Sequence, residues 1–144
     1  MKEISKGVNL LTAAEVAKLS DEIKEKLTSS TSYSRLKLNG RYRIIGIVRV
    51  DKQPATAKSK EIPEWYGYAV ENLTTKKVFA TSVATLTGTY FVDKKPKRTE
   101  NTFFETPSDI KTDVIFTVTK VVPVQVNDFD DPLKMVAKDM YEYS

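Results

Sequence analysis

The chain has 144 residues, a net charge of +4, 40% hydrophobic and 29% charged residues, the proportions of a globular protein of about one domain. It contains neither cysteine nor histidine. That excludes disulfides, thiolate metal ligands, a thiol nucleophile and the usual proton-transfer base near neutral pH. No apolar run approaches the ~20 residues of a membrane-spanning helix.

The opening "MKEISKGVNLL" has two lysines but lacks the apolar core of a secretory signal. The expected location is the cytoplasm, or a virion assembled there. Charge then divides along the chain. Residues 33–60 carry Arg35, Lys37, Arg41, Arg43, Arg49, Lys52, Lys58 and Lys60 against Asp51 alone. Residues 125–144 carry Asp128, Asp130, Asp131, Asp139 and Glu142 against Lys134 and Lys138. Such a split can steer a polyanion or set the register of contacts between copies.

The first element is a helix over 12–27. Thr12 and Glu15 form a capping box, and Leu11 and Val16 are spaced as a hydrophobic staple. Val16, Leu19, Ile23 and Leu27 make one apolar stripe. "TSSTS" ends it, because Ser and Thr side chains compete for the backbone.

Period two follows. In "RYRIIGIVRV" the alternation places Arg41, Arg43, Ile45, Ile47 and Arg49 on one strand face and Tyr42, Ile44, Gly46, Val48 and Val50 on the other. Residues 51–63 read as a loop and "EWYGYAVENL" as a second strand. "VFATSVATLTGTYFV" reads as a third strand, interrupted near Thr87–Gly88, so that Tyr90–Val92 stand apart. "DKKPKR" reads as an exposed connection and "DVIFTVTKVV" as a further strand. "DDPLKMVAKDMY" reads as a short helix capped by Asp130 or Asp131, with Leu133, Val136, Ala137 and Met140 as its stripe.

The expected fold is mainly β, a small antiparallel barrel (OB-like) or a β-sandwich within one domain, 1–144. An N-terminal amphipathic helix occupies segment 1–32, the β body 33–126, and a short C-terminal helix 127–144.

No GxGxxG, P-loop or HExxH motif occurs. Without His or Cys the chain reads as a non-enzyme, with no catalytic residue, metal or cofactor expected. Its expected role is a structural or interaction subunit of a larger protein assembly, such as a virion accessory protein that decorates a capsid. The partners are protein neighbours, either copies of itself or other subunits, with no membrane involved. Arg41, Arg43, Arg49, Met135, Met140 and Tyr141 are the candidate contact residues. The alternative is an OB-like binder of single-stranded nucleic acid. There Trp65, Tyr66, Tyr68 and Phe91 would stack on bases, while Arg41, Arg43, Lys94, Lys95, Lys97 and Arg98 would hold phosphates.

Overall fold

A computed structural model describes residues 1–18, 21, 35–58, 61–128, 131 and 133–144. The elements in chain order are β1 (Lys2–Ser5), β2 (Val8–Leu10), α1 (Ala13–Lys18), β3 (Arg41–Val50), β4 (Trp65–Asn72), β5 (Val78–Thr81), α2 (Val83–Thr87), β6 (Thr89–Val92) and β7 (Lys95–Arg98). A 3₁₀ turn (Pro107–Asp109), β8 (Ile115–Asn127) and β9 (Met135–Tyr143) complete them. The fold is mainly β, and every strand pairing is antiparallel.

Helix α1 begins as its sequence dictates. The Thr12 N–H donates to Glu15 Oε1 at 3.1 Å, and the Glu15 N–H donates to Thr12 Oγ1 at 3.2 Å, closing the capping box. The Met1 ammonium, 2.7 Å from Glu15 Oε1, and then the Thr12 N–H hold the Glu15 carboxyl down at about 2. Val16 packs against the edge of the main core. The predicted continuation through Leu19, Ile23 and Leu27 lies outside the described residues.

Strand β3 organises the sheet. Along one edge it pairs with β4 from Tyr42↔Asn72 to Val50↔Trp65. Its other edge is shared end to end: β8 takes Arg41–Arg43 and β2 takes Val48–Val50. Between them Ile44 exchanges backbone bonds with Asp113 and Val114, and the Leu11 N–H donates to the Ile47 carbonyl at 3.0 Å. Buried backbone groups need partners, and these bonds supply them where the ladder is interrupted.

The register of β3 against β4 shifts between Ile44 and Gly46. One extra residue at such a bulge reverses which side chains face which side. Before it, Tyr42 and Ile44 enter the main core, with Tyr68, Val70, Phe79, Phe104, Phe116 and Tyr143. After it, Val48 and Val50 turn to a second core with Val8 and Ala69, flanked by Ile4, Leu10, Ile45, Trp65, Val78 and Ala80. The sheet curls around this smaller core until β1 comes against β5. Those edges do not pair, so the expected barrel is not closed. Gly67 sits inside the curl, where an added Cβ would lie 2.5 Å from the Trp65 ring and 2.6 Å from the Thr81 carbonyl.

Residues 83–87, read as strand from their alternation, form the buried helix α2 instead. Ser82 caps it by accepting the Thr85 N–H at 3.1 Å, and Gly88 closes it in the left-handed region at φ 72°. An interior helix this short leaves carbonyls without helical partners. Asn101 Nδ2 donates to the Leu86 carbonyl at 2.6 Å, Arg98 Nη2 to the Thr87 carbonyl at 3.1 Å, and the Tyr143 hydroxyl to the Thr85 carbonyl at 2.8 Å. Asn101 Oδ1 also accepts the Phe103 and Phe104 N–H groups. This seats Phe104 edge-on to Phe116 and Tyr143, with ring centroids 5.3 and 5.5 Å away.

The expected C-terminal helix is the strand β9. It pairs with β8 from Val118↔Tyr143 to Asn127↔Met135. A helix of about three turns is marginal alone, whereas the β8 ladder offers partners to a nine-residue strand. Asp131 does not cap a helix: its carboxylate accepts the Leu133 N–H in the turn. Asp130 lies outside the described residues.

Two predictions follow from this packing. Asn101→Ala leaves the Leu86 carbonyl and two N–H groups unsatisfied and should lower unfolding free energy by about 2–3 kcal/mol, read from urea denaturation. Burial, and secondarily Tyr141, pushes the Tyr143 hydroxyl well above the ordinary tyrosine range. The folded state therefore keeps a proton that the unfolded chain releases. This contribution to stability is complete below about pH 10 and declines as pH rises beyond it. The urea midpoint should drop as pH rises above about 10, and Tyr143→Phe should shrink that drop.

Candidate interaction surface

The stretch "FVDKKPKR" folds as a hairpin rather than a loop. Strands β6 and β7 pair from Thr89↔Arg98 to Val92↔Lys95. Asp93 and Lys94 form the two-residue turn with φ of 51° and 63°, the positive values that match the twist of a tight hairpin. Pro96 occupies β7, and a proline cannot donate a ladder hydrogen bond. Lys94, Lys95 and Lys97 are exposed, and among the described residues none has an ion pair. Phe91, opposite Pro96, is 38% exposed. Arg98 differs from the three lysines because its guanidinium helps close α2.

The β6–β7 turn is fastened to the far end of the β8–β9 hairpin. The Asp93 N–H donates to Asn127 Oδ1 at 2.6 Å, and Asn127 Nδ2 returns a longer bond to Asp93 Oδ1 at 3.4 Å. Asn127 Nδ2 also lies 3.3 Å from Met135 Sδ. Beyond Val118 the strands β8 and β9 pair with each other alone among the described residues, forming a two-stranded ribbon. The Asp128 N–H donates to the Lys134 carbonyl at 2.8 Å to close its end loop. Leu133 in that loop is 96% exposed and Met135 beside it 42%. Two hairpin ends, one cationic and one acidic, thus lie side by side with apolar side chains in water.

The predicted arginine face does not hold. Residues paired directly across a ladder share a face, and the β3 bulge puts Arg49 opposite Tyr66, on the side of the main core. Arg41 and Arg43 remain on the other face. Arg43 bridges Asp113 Oδ1 at 2.7 Å and Glu71 Oε1 at 3.3 Å, and these carboxylates, Asp113 foremost, raise its guanidinium pKa. Arg49 lies 3.7 Å from Asp51 and 3.8 Å from Glu64. Arg41 is exposed and makes no ion pair among the described residues.

Other candidates move inward. Met140 is 0% exposed and Tyr141 5%, so both belong to the interior rather than to a contact surface, and of that trio only Met135 faces out. Tyr66 and Tyr68 are buried in the main core, and Trp65 packs against the second core. The stacking platform that Trp65, Tyr66 and Tyr68 were expected to present is therefore not offered to a ligand. Asn127 and Asp93, which join the two hairpin ends, carry no sequence signal of that role. The positive-φ turn at Asp93–Lys94 lies within "DKKPKR", which the sequence presented only as an exposed connection.

Lys138 lies across from Val124, with Val122, Val126, Val136 and Met140 as neighbouring positions on the same ribbon face. It makes no hydrogen bond or ion pair among the described residues, and burial lowers its pKa. An open depression of about 680 Å³ is lined by Arg98, Thr99, Glu100, Asn101, Thr102, Glu105 and Thr106. Among the described residues no His, Cys, Asp and Glu cluster could hold a metal, and no helix is long and apolar enough to cross a membrane.

Comparisons with protein-family models, with curated proteins and with solved structures find no match. The reading of this surface rests on its own chemistry.

Replacing Lys138 by Met keeps the stem's packing and removes a poorly solvated charge. Lys138→Met should raise the thermal midpoint by roughly 2–4 °C, whereas Lys134→Met, at an exposed turn position, should leave it within about 1 °C. Differential scanning fluorimetry checks both.

Proposed function

We propose that the chain is a non-enzymatic structural subunit of a protein assembly, contacting its neighbours through the paired ends of the β6–β7 and β8–β9 hairpins. A capsid-decorating virion protein is one member of that class. The observation that carries the reading is the near-complete exposure of Leu133, beside half-exposed Met135, at the end of a ribbon. A large apolar side chain exposed to water gains from being covered, and its burial contributes about 1.5–3 kcal/mol. A two-stranded ribbon is also marginal alone, so a neighbour packed against it would stabilise both.

A second reading, an OB-like single-strand binder, draws on exposed Lys94, Lys95 and Lys97 beside Phe91. The burial of Tyr66 and Tyr68 weighs against it, because base stacking supplies much of such binding.

Sedimentation across a concentration range, with and without a ~30-nucleotide strand at about 0.15 M salt, separates the two. The assembly reading expects a mass above the 16.3 kDa of one chain, rising with concentration and indifferent to the strand. A single-chain mass throughout, or a shift caused by the strand, would overturn it.

A further inference from the structure

Near the start of β8, two turns flank Arg41. Residues 37–40 lead into it, and residues 72–77 join β4 to β5 beside it. The first turn is closed by the Gly40 N–H donating to the Lys37 carbonyl at 2.9 Å, and the Lys37 N–H donates to the buried Tyr42 hydroxyl at 2.9 Å. In the second, Asn72 Oδ1 accepts the Thr74 and Thr75 N–H groups at 2.9 and 3.1 Å. The Leu73 N–H donates to the Arg41 carbonyl at 2.9 Å and ties this turn to β3. Both turns are therefore held in place.

Lys37, Arg41, Lys76 and Lys77 are exposed on them. Residues 35–42 and 72–78 contain no Asp or Glu. The flanking carboxylates, Glu71 and Asp113, are both taken by Arg43, at 3.3 and 2.7 Å. None of the four cations takes part in an ion pair among the described residues, although the Ser144 backbone pairs with Thr117 opposite Arg41. Like charges on fixed turns repel one another, and an anionic partner removes that repulsion. A phosphate backbone and an acidic protein segment both supply anions. Leu38, 53% exposed between Lys37 and Arg41, favours the second. A phosphate backbone offers little apolar surface to cover it, and neither turn carries an aromatic ring on which a base could stack.

We propose that these two turns, with Arg41 between them, form a docking surface for an acidic segment of a partner protein. Its carboxylates meet Lys37, Arg41, Lys76 and Lys77, and an apolar side chain covers Leu38. Asn127 and the hairpin ends lie at the opposite end of β8, so this surface is separate from the contact proposed above and goes beyond it.

Fluorescence anisotropy with the full chain tests it, using a labelled peptide of about 12 residues built of Glu-Glu-Leu repeats. Circular dichroism confirms that each variant folds, and if one cationic variant does not, the other carries the test. The wild type should bind the peptide at about 0.05 M salt, with affinity falling as salt rises. R41E and K76E/K77E should each weaken binding at least about tenfold. K6E/K58E, the same charge change at exposed positions elsewhere, should stay within about twofold. L38S should weaken binding at least about threefold and leave its salt dependence unchanged.

A peptide left unbound at ~100 μM, a loss in K6E/K58E equal to that in K76E/K77E, or L38S binding as well as the wild type would overturn the proposal. So would a duplex of about 20 base pairs held more tightly than the peptide by the same cations, since the surface would then take phosphates. Sedimentation of the wild type without added ligand reads the hairpin-end contact by itself, so loss of this surface leaves the assembly reading standing.

Discussion

Strand β3 carries one residue more than its partner can match, at Ile44–Gly46. Most of the architecture refers to that irregularity. A strand with uninterrupted alternation would show one set of side chains to each side along its length. The bulge lets the first half of β3 give Tyr42 and Ile44 to the aromatic core, and the second half give Val48 and Val50 to the curl closed by β1 and β2. The sheet is thus buried on both faces although it does not close into a barrel. The same displacement takes Arg49 away from Arg41 and Arg43, so a cationic stripe never forms.

The aromatic core depends in turn on α2, a buried helix too short to satisfy its own carbonyls. Its partners come from distant segments: Arg98 from β7, Asn101 from the following loop and Tyr143 from the last strand. Buried polar groups in a weakly polarisable interior are costly when unpaired and rigidifying when paired. These bonds therefore fix β9 and the loop that carries Phe104 relative to one another. The β6–β7 hairpin emerges from the C-terminal end of α2, so its direction is set by the same network. Asn127 then receives its tip.

Part of the remaining surface charge is engaged in ion pairs. Arg43 is held between Asp113 and Glu71, Lys52 lies 2.7 Å from Glu61, and Arg49 sits beside Asp51 and Glu64. Exposed ion pairs contribute little to stability, and other exposed charges, Arg41 among them, make no ion pair among the described residues. The lysines of β6–β7 and Asp131 are such charges, and Leu133 and Met135 lie next to them. Such a surface has the elements of a protein contact, a polar rim around an apolar centre.

Features that depend on neighbours in sequence were legible in the chain itself. The Thr12–Glu15 capping box, the strands β3 and β4, the break at Gly88 and the separateness of Tyr90–Val92 all follow from local spacing and backbone preference, and all are found. What tertiary structure decided has a common physical cause. The stripe Leu133, Val136, Ala137 and Met140 fits helical spacing, yet pairing with β8 made residues 135–143 a strand and left Leu133 in water. Residues 83–87 alternate like a strand, yet Ser82, Gly88 and distant donors made them a helix. The positions of Arg49, Tyr66 and Asn127 depend on register across strands far apart in sequence. Backbone hydrogen bonding to a remote partner outweighs side-chain periodicity in short segments, and no local pattern encodes which partner that will be.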